Sequence, residues 1–296
     1  MSERRFRILV NPVAGRGRAP HKALPVAKLL REAGAEAEIV NTTSEADAAQ
    51  QAEACAADGV VAVAAGGDGM VALVAGAVVR SGGLFGIVPG GRGNDFARQL
   101  GLDMSGDAAA IAAALREGPE RQVDVIEAAG RTVLGSVYAG VDSRASVILD
   151  RTRWVPGPLQ YRYAALRALA TYRPETFTVT VDGTEHVQRG ANVVVANSGY
   201  YGSGMHIAPD AQIDDGLLDV VIIDAASRWA LVRSLPKVYD GRHVTLDEVT
   251  VLRGASVTVA AEGAVDAYAD GDRLTPLPVT AQVRPEALRV IGPPAG

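Results

Sequence analysis

The sequence predicts an α/β N-terminal domain with a largely parallel sheet, followed by a mainly antiparallel, all-β, sandwich-like C-terminal domain. Three observations carry that prediction. Through the first third of the chain, short apolar runs alternate with segments whose apolar residues recur at helical spacing, the pattern of a parallel sheet covered by helices. From Val123 onward the apolar runs are short, rich in β-branched residues and separated by Gly, Asp and Pro turns, an all-β pattern. The chain has 296 residues and is 48% hydrophobic, enough apolar mass for two packed cores. The change of pattern puts a boundary near Gln122, giving domains over 1–122 and 123–285.

The elements follow in order. Residues 7–10 read as a first strand, and 22–31 carry apolar residues at helical spacing until Gly34 stops them. Residues 36–40 read as a second strand. Ser44 is a candidate N-cap for an Ala-rich helix reaching residue 57 and ended by Gly59. Residues 60–65 and 84–88 supply two more strands, with helical patterns over 71–79 and 107–117. Beyond the boundary, VDVIEA, TVLGSVYAG, FTVTVDG, ANVVVANSG, LLDVVII, VTVLRG, SVTVAA and PVTAQV read as strands, interrupted by helical excursions over 157–172 and 227–239. There is no internal repeat and no low-complexity linker.

The most informative segment is the strand-like VVAVAA that ends in Gly66, Gly67, Asp68, Gly69 and Met70. Glycines and one carboxylate at a strand-to-helix turn bring backbone N–H groups and an acid together, as phosphates and their metal ions require. Taken alone, the same residues suit an ordinary Gly-rich turn. Two further turns join it. Asn11, Pro12, Val13, Ala14, Gly15 and Arg16 follow the first strand, and a Pro-Gly-Gly segment running through Arg92, Gly93, Asn94 and Asp95 follows the fourth. Ligands of open α/β sheets sit beyond the carboxyl ends of the strands, and these turns would converge there. Arg16 could reach a phosphate.

Composition narrows the classes of partner. The net charge is −5, so a globally basic nucleic-acid footprint is missing and no nucleic-acid partner is expected. Cys55 is the sole cysteine, which excludes an intrachain disulfide and fits a reducing cytoplasm. The opening MSERRFRILVNP lacks the apolar length of a signal peptide and reads as a strand. The apolar stretch 60–79 would place glycines and Asp68 mid-bilayer, so a strand-turn-helix is expected there instead of a membrane span.

Taken together, NPVAG-R-G, the GGDG turn before an apolar helix, and VPGGRGNDFAR resemble the nucleotide-site motifs of the diacylglycerol kinase catalytic domain, a family shared by bacterial lipid kinases and sphingosine kinases. ANSGYYGSGMHIAPDAQIDDGLLDVVII resembles that family's second-domain signature, Asp270-Gly271-Asp272 its late D-G-E motif, and VRPEALRVIGP its closing segment. The likeness spans nearly the whole chain in the right order, and the N-S-x-x-x-G-x-G stretch with its acidic sequel separates it from NAD kinases. It implies a nucleotide cleft between two domains, with 286–296 packing back onto the first. It also implies ATP-dependent transfer of a phosphoryl group to diacylglycerol or a related lipid alcohol, with Mg²⁺.

By the same resemblance, ATP meets Asn11 to Gly15, Thr42, the turn from Gly67 to Leu73, and Arg92. Asp68 lies near the phosphates and metal, and Asp95 stands in the same crevice. Asp272 takes the place of the proton acceptor, usually Glu, although Asp-Gly-Asp also suits a plain hairpin turn. Asp215, with the carbonyls of Gln212 and Leu217, matches a structural Mg²⁺ site, for which a solvated turn is the alternative. Met70, Ala72 and Leu73 replace the family's Thr and Asn-Glu pair, and Arg92 replaces its Thr. These departures leave open a catalytically silent lipid- or nucleotide-binding homologue, or a kinase of another hydroxyl substrate such as a sphingoid base or NAD. Arg144, Arg151, Arg153, Arg162, Arg167 and Arg173, interleaved with Trp154, Tyr161, Tyr163 and Tyr172, suit peripheral contact with an anionic membrane surface, or else a solvated helix with its aromatics turned inward. His206 is expected to be structural, and a homodimer remains an option.

Overall fold

A computed structural model describes residues 4–12, 18–91, 93–102, 104–152 and 157–293. The chain divides into two compact units. One holds the residues up to Val125, Gly202–Gly204 and those from Pro285 onward; the other holds Ile126–Tyr201 and Met205–Arg284.

The first unit begins with alternating strands and helices: β1 (Phe6–Val10), α1 (Arg18–Glu32), β2 (Ala37–Asn41), α2 (Glu45–Asp58), β3 (Val61–Gly66), α3 (Asp68–Ser81), β4 (Leu84–Pro89), α4 (Asp95–Gln99) and α5 (Ala108–Glu117). β1 pairs in parallel with β2 and β3, and β3 with β4, so the spatial order is β2-β1-β3-β4. Every residue of β3 is buried, as befits a central strand covered on both faces. The local signals act as expected at α2. The Ser44 hydroxyl accepts from the Asp47 N–H at 3.0 Å, and Gly59 closes the helix at φ 64°, where a side chain would be strained. Asp107 caps α5 in the same way. Cys55 is buried in the helix. Phe6, Ile8, Val26, Leu30, Val63 and Leu115 lie in one core cluster.

The second unit contains the end of β5 (Glu120–Ala128), then β6 (Arg131–Val133), β7 (Ser136–Gly140), α6 (Val141–Arg151), α7 (Gly157–Ala170), β8 (Glu175–Val181), β9 (Thr184–Ala196), β10 (Tyr200–Tyr201), β11 (Met205–His206), β12 (Leu218–Asp224), α8 (Arg228–Tyr239), β13 (Val249–Gly254), β14 (Ser256–Ala261), β15 (Asp266–Ala269), β16 (Asp272–Pro276) and the start of β17 (Val279–Ile291). The described strand pairs of this unit are antiparallel. β9 is the hub: its first half pairs with β8, and its second half lies between β7 and β12. Burial alternates along β8 and the start of β17, the period of a sheet with one covered face. Phe177, Val179, Val193, Val195, Leu218 and Ile222 belong to the core beneath it.

The structure departs from the sequence reading in three places. TVLGSVYAG is two strands, broken at Leu134 and Gly135 by a turn that Asp270 holds. Residues 141–151, to which the sequence reading assigned no element, form α6, which packs against α7 and against β7. β9 begins at Thr184 rather than Ala191, because cross-strand pairing with β8 recruits residues whose own pattern is polar.

Two substitutions test this packing. Phe85→Ala, at a fully buried position, is expected to cost about 3–5 kcal/mol in urea denaturation. Ser44→Ala is expected to cost about 1 kcal/mol by loss of the α2 cap.

Candidate active site

In the first unit the carboxyl ends of β1 to β4 share one edge, and Asn11, Thr42, Gly66 to Met70, and Asn94 with Asp95 stand there. Thr42 is buried and donates both its N–H, at 2.8 Å, and its hydroxyl, at 3.3 Å, to the Val10 carbonyl. It therefore ties β2 to β1 through its own groups. Val13, Ala14, Gly15 and Arg16, and likewise Arg92, lie outside the described residues.

The turns after β3 and β4 meet backbone to backbone. The Gly90 N–H donates to the Gly66 carbonyl at 2.8 Å, and a Cβ on Gly91 would stand 2.3 Å from the Gly67 Cα. No residue with a side chain fits there without moving one of the two turns. Asp68 joins them a second time: its carboxylate accepts the N–H groups of Asn94 at 2.9 Å and Asp95 at 2.7 Å. It thereby caps the short helix α4 from a different element. Asn94 takes a left-handed φ of 53°, its side-chain oxygen accepting from the Gly91 N–H at 2.8 Å. Gly69 is exposed, with open space where a Cβ would be.

Asp95 is held in turn by the 202–204 turn of the same unit, accepting from the Ser203 N–H at 2.9 Å and the Gly204 N–H at 2.7 Å. Burial, reinforced by the charge of Asp68, raises its pKa to about 6 despite those two bonds and the nearby Arg98. The pair is thus a concentration of negative charge only partly offset by backbone N–H groups and Arg98. Such a pair of hard oxygen ligands fits a divalent cation of the kind that accompanies a triphosphate.

In the second unit Asp272 is exposed at the start of β16. Its position is set by Asp270, in a left-handed conformation (φ 48°), whose carboxylate accepts the N–H groups of Leu134 at 2.8 Å, Gly135 at 2.9 Å and Ser136 at 3.2 Å. The hairpin head is thereby fastened to the β6–β7 turn. Burial raises the pKa of the Tyr138 hydroxyl, with the charges of Asp142, Asp270 and Asp272 adding to it. His206 stacks on Tyr200 with ring centroids 4.4 Å apart.

The Gln212, Asp215 and Leu217 turn also lies in this unit. One Asp215 oxygen accepts the Leu217 N–H at 3.0 Å, and the other receives the Arg253 guanidinium. The Nε of Arg253 reaches Asp219 at 3.3 Å, a carboxylate whose pKa burial raises and whose second oxygen is buried without a hydrogen-bond partner. Asp215 therefore already faces a cation, and a Mg²⁺ beside it would be repelled by the guanidinium. Among the described residues no cluster of three or more His, Cys, Asp or Glu side chains suited to a metal exists. Sequence reasoning missed Arg253, which lies far along the chain in no motif, as well as the Ser203 and Gly204 amides.

Comparison with known proteins agrees with this architecture. Residues 5–128 match the diacylglycerol kinase catalytic domain, and residues 135–292 match the YegS C-terminal NAD kinase beta sandwich-like domain. A diacylglycerol kinase of Mycobacterium tuberculosis is 34% identical over 97% of this chain and 95% of its own length. One of Bacillus subtilis is 25% identical over 91% and 90%. A crystal structure of a diacylglycerol kinase from Bacillus anthracis superposes with a TM-score of 0.77 at 21% identity, covering 99% of this chain and 98% of that one. The chain belongs to the diacylglycerol kinase family, and it is a lipid kinase.

Three outcomes test the geometry. Gly91→Ala is expected to destabilise the first unit by roughly 1–3 kcal/mol in thermal unfolding. The Asp95 carboxyl carbon is expected to titrate near pH 6 by NMR. Because its folded pKa is raised, the stability it contributes is full below the ordinary carboxyl range and is lost as pH rises through about 6. The loss is on the order of 3 kcal/mol. Arg253→Met is expected to cost about 1–2 kcal/mol, discounted for the half-exposed guanidinium. It is also expected to make the melting temperature respond more strongly to added Mg²⁺ than that of the unsubstituted protein.

Proposed function

We propose that this lipid kinase transfers the γ-phosphoryl group of ATP to the free hydroxyl of diacylglycerol. The observation that carries the reading is the paired turns after β3 and β4, where glycine backbones, Asp68 and Asp95 converge at the carboxyl edge of a parallel sheet. The naming of the mycobacterial and Bacillus relatives supports the choice of lipid.

In this reading the turn amides cradle the phosphates. The Asp68–Asp95 pair would hold the Mg²⁺ carried in with the triphosphate, which neutralises phosphate charge when bound. The lipid hydroxyl oxygen forms a bond to the γ-phosphorus as the bond to the bridging oxygen of ADP breaks. Asp272 accepts the hydroxyl proton. Its fixed hairpin head supports that role, because a base must be held within hydrogen-bond reach of the proton it takes. A carboxylate one methylene shorter than the family's usual Glu remains a competent acceptor. The lipid is taken from a bilayer surface rather than from free solution.

Labelled γ-phosphate from ATP, offered with diacylglycerol, monoacylglycerol, sphingosine and NAD, decides the matter. Diacylglycerol is expected to carry the label, Asp272→Asn to lower turnover roughly 100-fold or more, and Asp272→Glu to retain it. Label on sphingosine or NAD instead would reassign the acceptor. Unchanged turnover in Asp272→Asn would remove the base.

A further inference from the structure

Asp95 depends on a turn that comes from far along the chain and is held under backbone strain. The 202–204 turn joins β10 to β11 yet belongs to the first unit. Gly202, Ser203 and Gly204 all take left-handed angles, at φ 58°, 71° and 93°. Ser203 carries a Cβ, which a left-handed backbone disfavours, so contacts with other residues must hold the turn in this shape. Two of them are the bonds from the Ser203 and Gly204 N–H groups to the Asp95 carboxylate, at 2.9 Å and 2.7 Å.

Arg98 supplies a further contact. It follows Asp95 by one turn of α4, on the same side of the helix, and is half-buried with its Nε enclosed. A Cβ built on Gly204 would stand 3.6 Å from Nη2, 3.7 Å from Cζ and 3.7 Å from Nε of Arg98. Three bonded atoms of one plane lie that far, and nearly equally far, from a point only when the point stands above their plane. The guanidinium therefore presents its flat face to Gly204, over the space that a side chain there would take. Its charge also acts on Asp95. A planar cation can cover a peptide and face a neighbouring carboxylate at once, whereas a Lys ammonium is a compact point charge that covers no peptide.

Gly93 shows what this placement serves. A Cβ there would stand 2.6 Å from one Asp68 oxygen and 3.3 Å from one Asp95 oxygen, so the two carboxylates converge on a space that a residue without a side chain leaves open. The N–H groups that hold Asp68 beside it belong to Asn94 and Asp95, whereas those that hold Asp95 come from the distant turn. We infer that Arg98 is a positioning residue for phosphoryl transfer: laid face-on against Gly204, its guanidinium keeps the left-handed 202–204 turn on the Asp95 carboxylate, and so keeps Asp95 opposite Asp68 for the cation that accompanies the triphosphate. Its purpose rests on the kinase reading above, to which Arg98 adds a residue that acts through Asp95 rather than on the substrate.

The test follows amide hydrogen exchange by NMR in the full chain, with Arg98→Gln and Arg98→Lys. In both variants the Ser203 and Gly204 N–H groups are expected to exchange on the order of tenfold faster, while those of Asn94 and Asp95, held by Asp68, keep the unsubstituted rates. Ser203→Gly added to Arg98→Gln removes the left-handed strain and is expected to recover part of the lost protection. In transfer of labelled phosphate from ATP to diacylglycerol, the Mg²⁺ concentration for half-maximal rate is expected to rise about fivefold in Arg98→Gln, because fewer molecules hold the two carboxylates ready. The change in kcat at saturating Mg²⁺ is expected to be smaller. Unchanged exchange at Ser203 and Gly204 overturns the inference. So does equal loss of protection at all four amides, which would make Arg98 a general support of α4, and so does a raised KM for ATP at unchanged Mg²⁺ dependence, which would make it a phosphate contact. If the unsubstituted chain labels no lipid, the kinase reading fails by itself, and calorimetry of ATP binding at graded Mg²⁺ takes the place of turnover. The same shift in Mg²⁺ dependence there upholds the role of Arg98, and its absence overturns it.

Discussion

The architecture of the first unit hangs on one contact, the approach of the glycine turn after β3 to the glycine turn after β4. A Gly91 Cβ would lie 2.3 Å from the Gly67 Cα, so two backbones occupy the space that side chains would normally need. This closeness lets the Asp68 carboxylate reach the first N–H groups of α4. With α4 capped from outside, Asp95 is presented to the 202–204 turn, and a segment far along the chain is drawn to the same edge. Close packing, helix capping and placement of the acidic pair are thus successive consequences of two residues without Cβ atoms.

The second unit solves its positioning problems with carboxylates rather than with glycine contacts. Asp270 gathers consecutive N–H groups of the β6–β7 turn, and Asp182 does the same for Ala255 and Ser256, both acids sitting at left-handed backbone positions. Asp215 and Asp219 are bridged by Arg253. A carboxylate that accepts several backbone donors fixes a turn more firmly than a neutral group would, because charge-assisted bonds are shorter and stronger. In this unit acidic residues serve mainly as fasteners. Asp272 stands exposed beside one of those fastened turns.

How much of this could be read beforehand followed from whether the determinant was local. Ser44, Gly59 and Asp107 act within a turn of where they stand, so α2 and α5 were legible. The glycine turns were legible too, since their composition speaks for the backbone they require. The second role of Asp68, as a cap for a helix 27 residues on, was not legible, because nothing in the turn itself states which helix will arrive. α6 went unassigned for a related reason: its packing partners, α7 and β7, are not stated by its own residues. At the acidic turn, too, the local residues say nothing of Arg253, which β13 brings to Asp215 from far along the chain.

The division of β17 between the two units bears on how the protein is made. Its later residues pair in parallel with β4, Arg289 opposite Leu84 and Val290 opposite Phe85, while its earlier ones pair with β14. During translation β4 emerges some 200 residues before its partner, so an edge with unpaired backbone groups stands open while the whole second unit is synthesised. The first unit to begin folding is therefore completed only after β17 emerges. Over that interval the nascent chain carries an adhesive strand, exposed to premature pairing and to chaperones that recognise it.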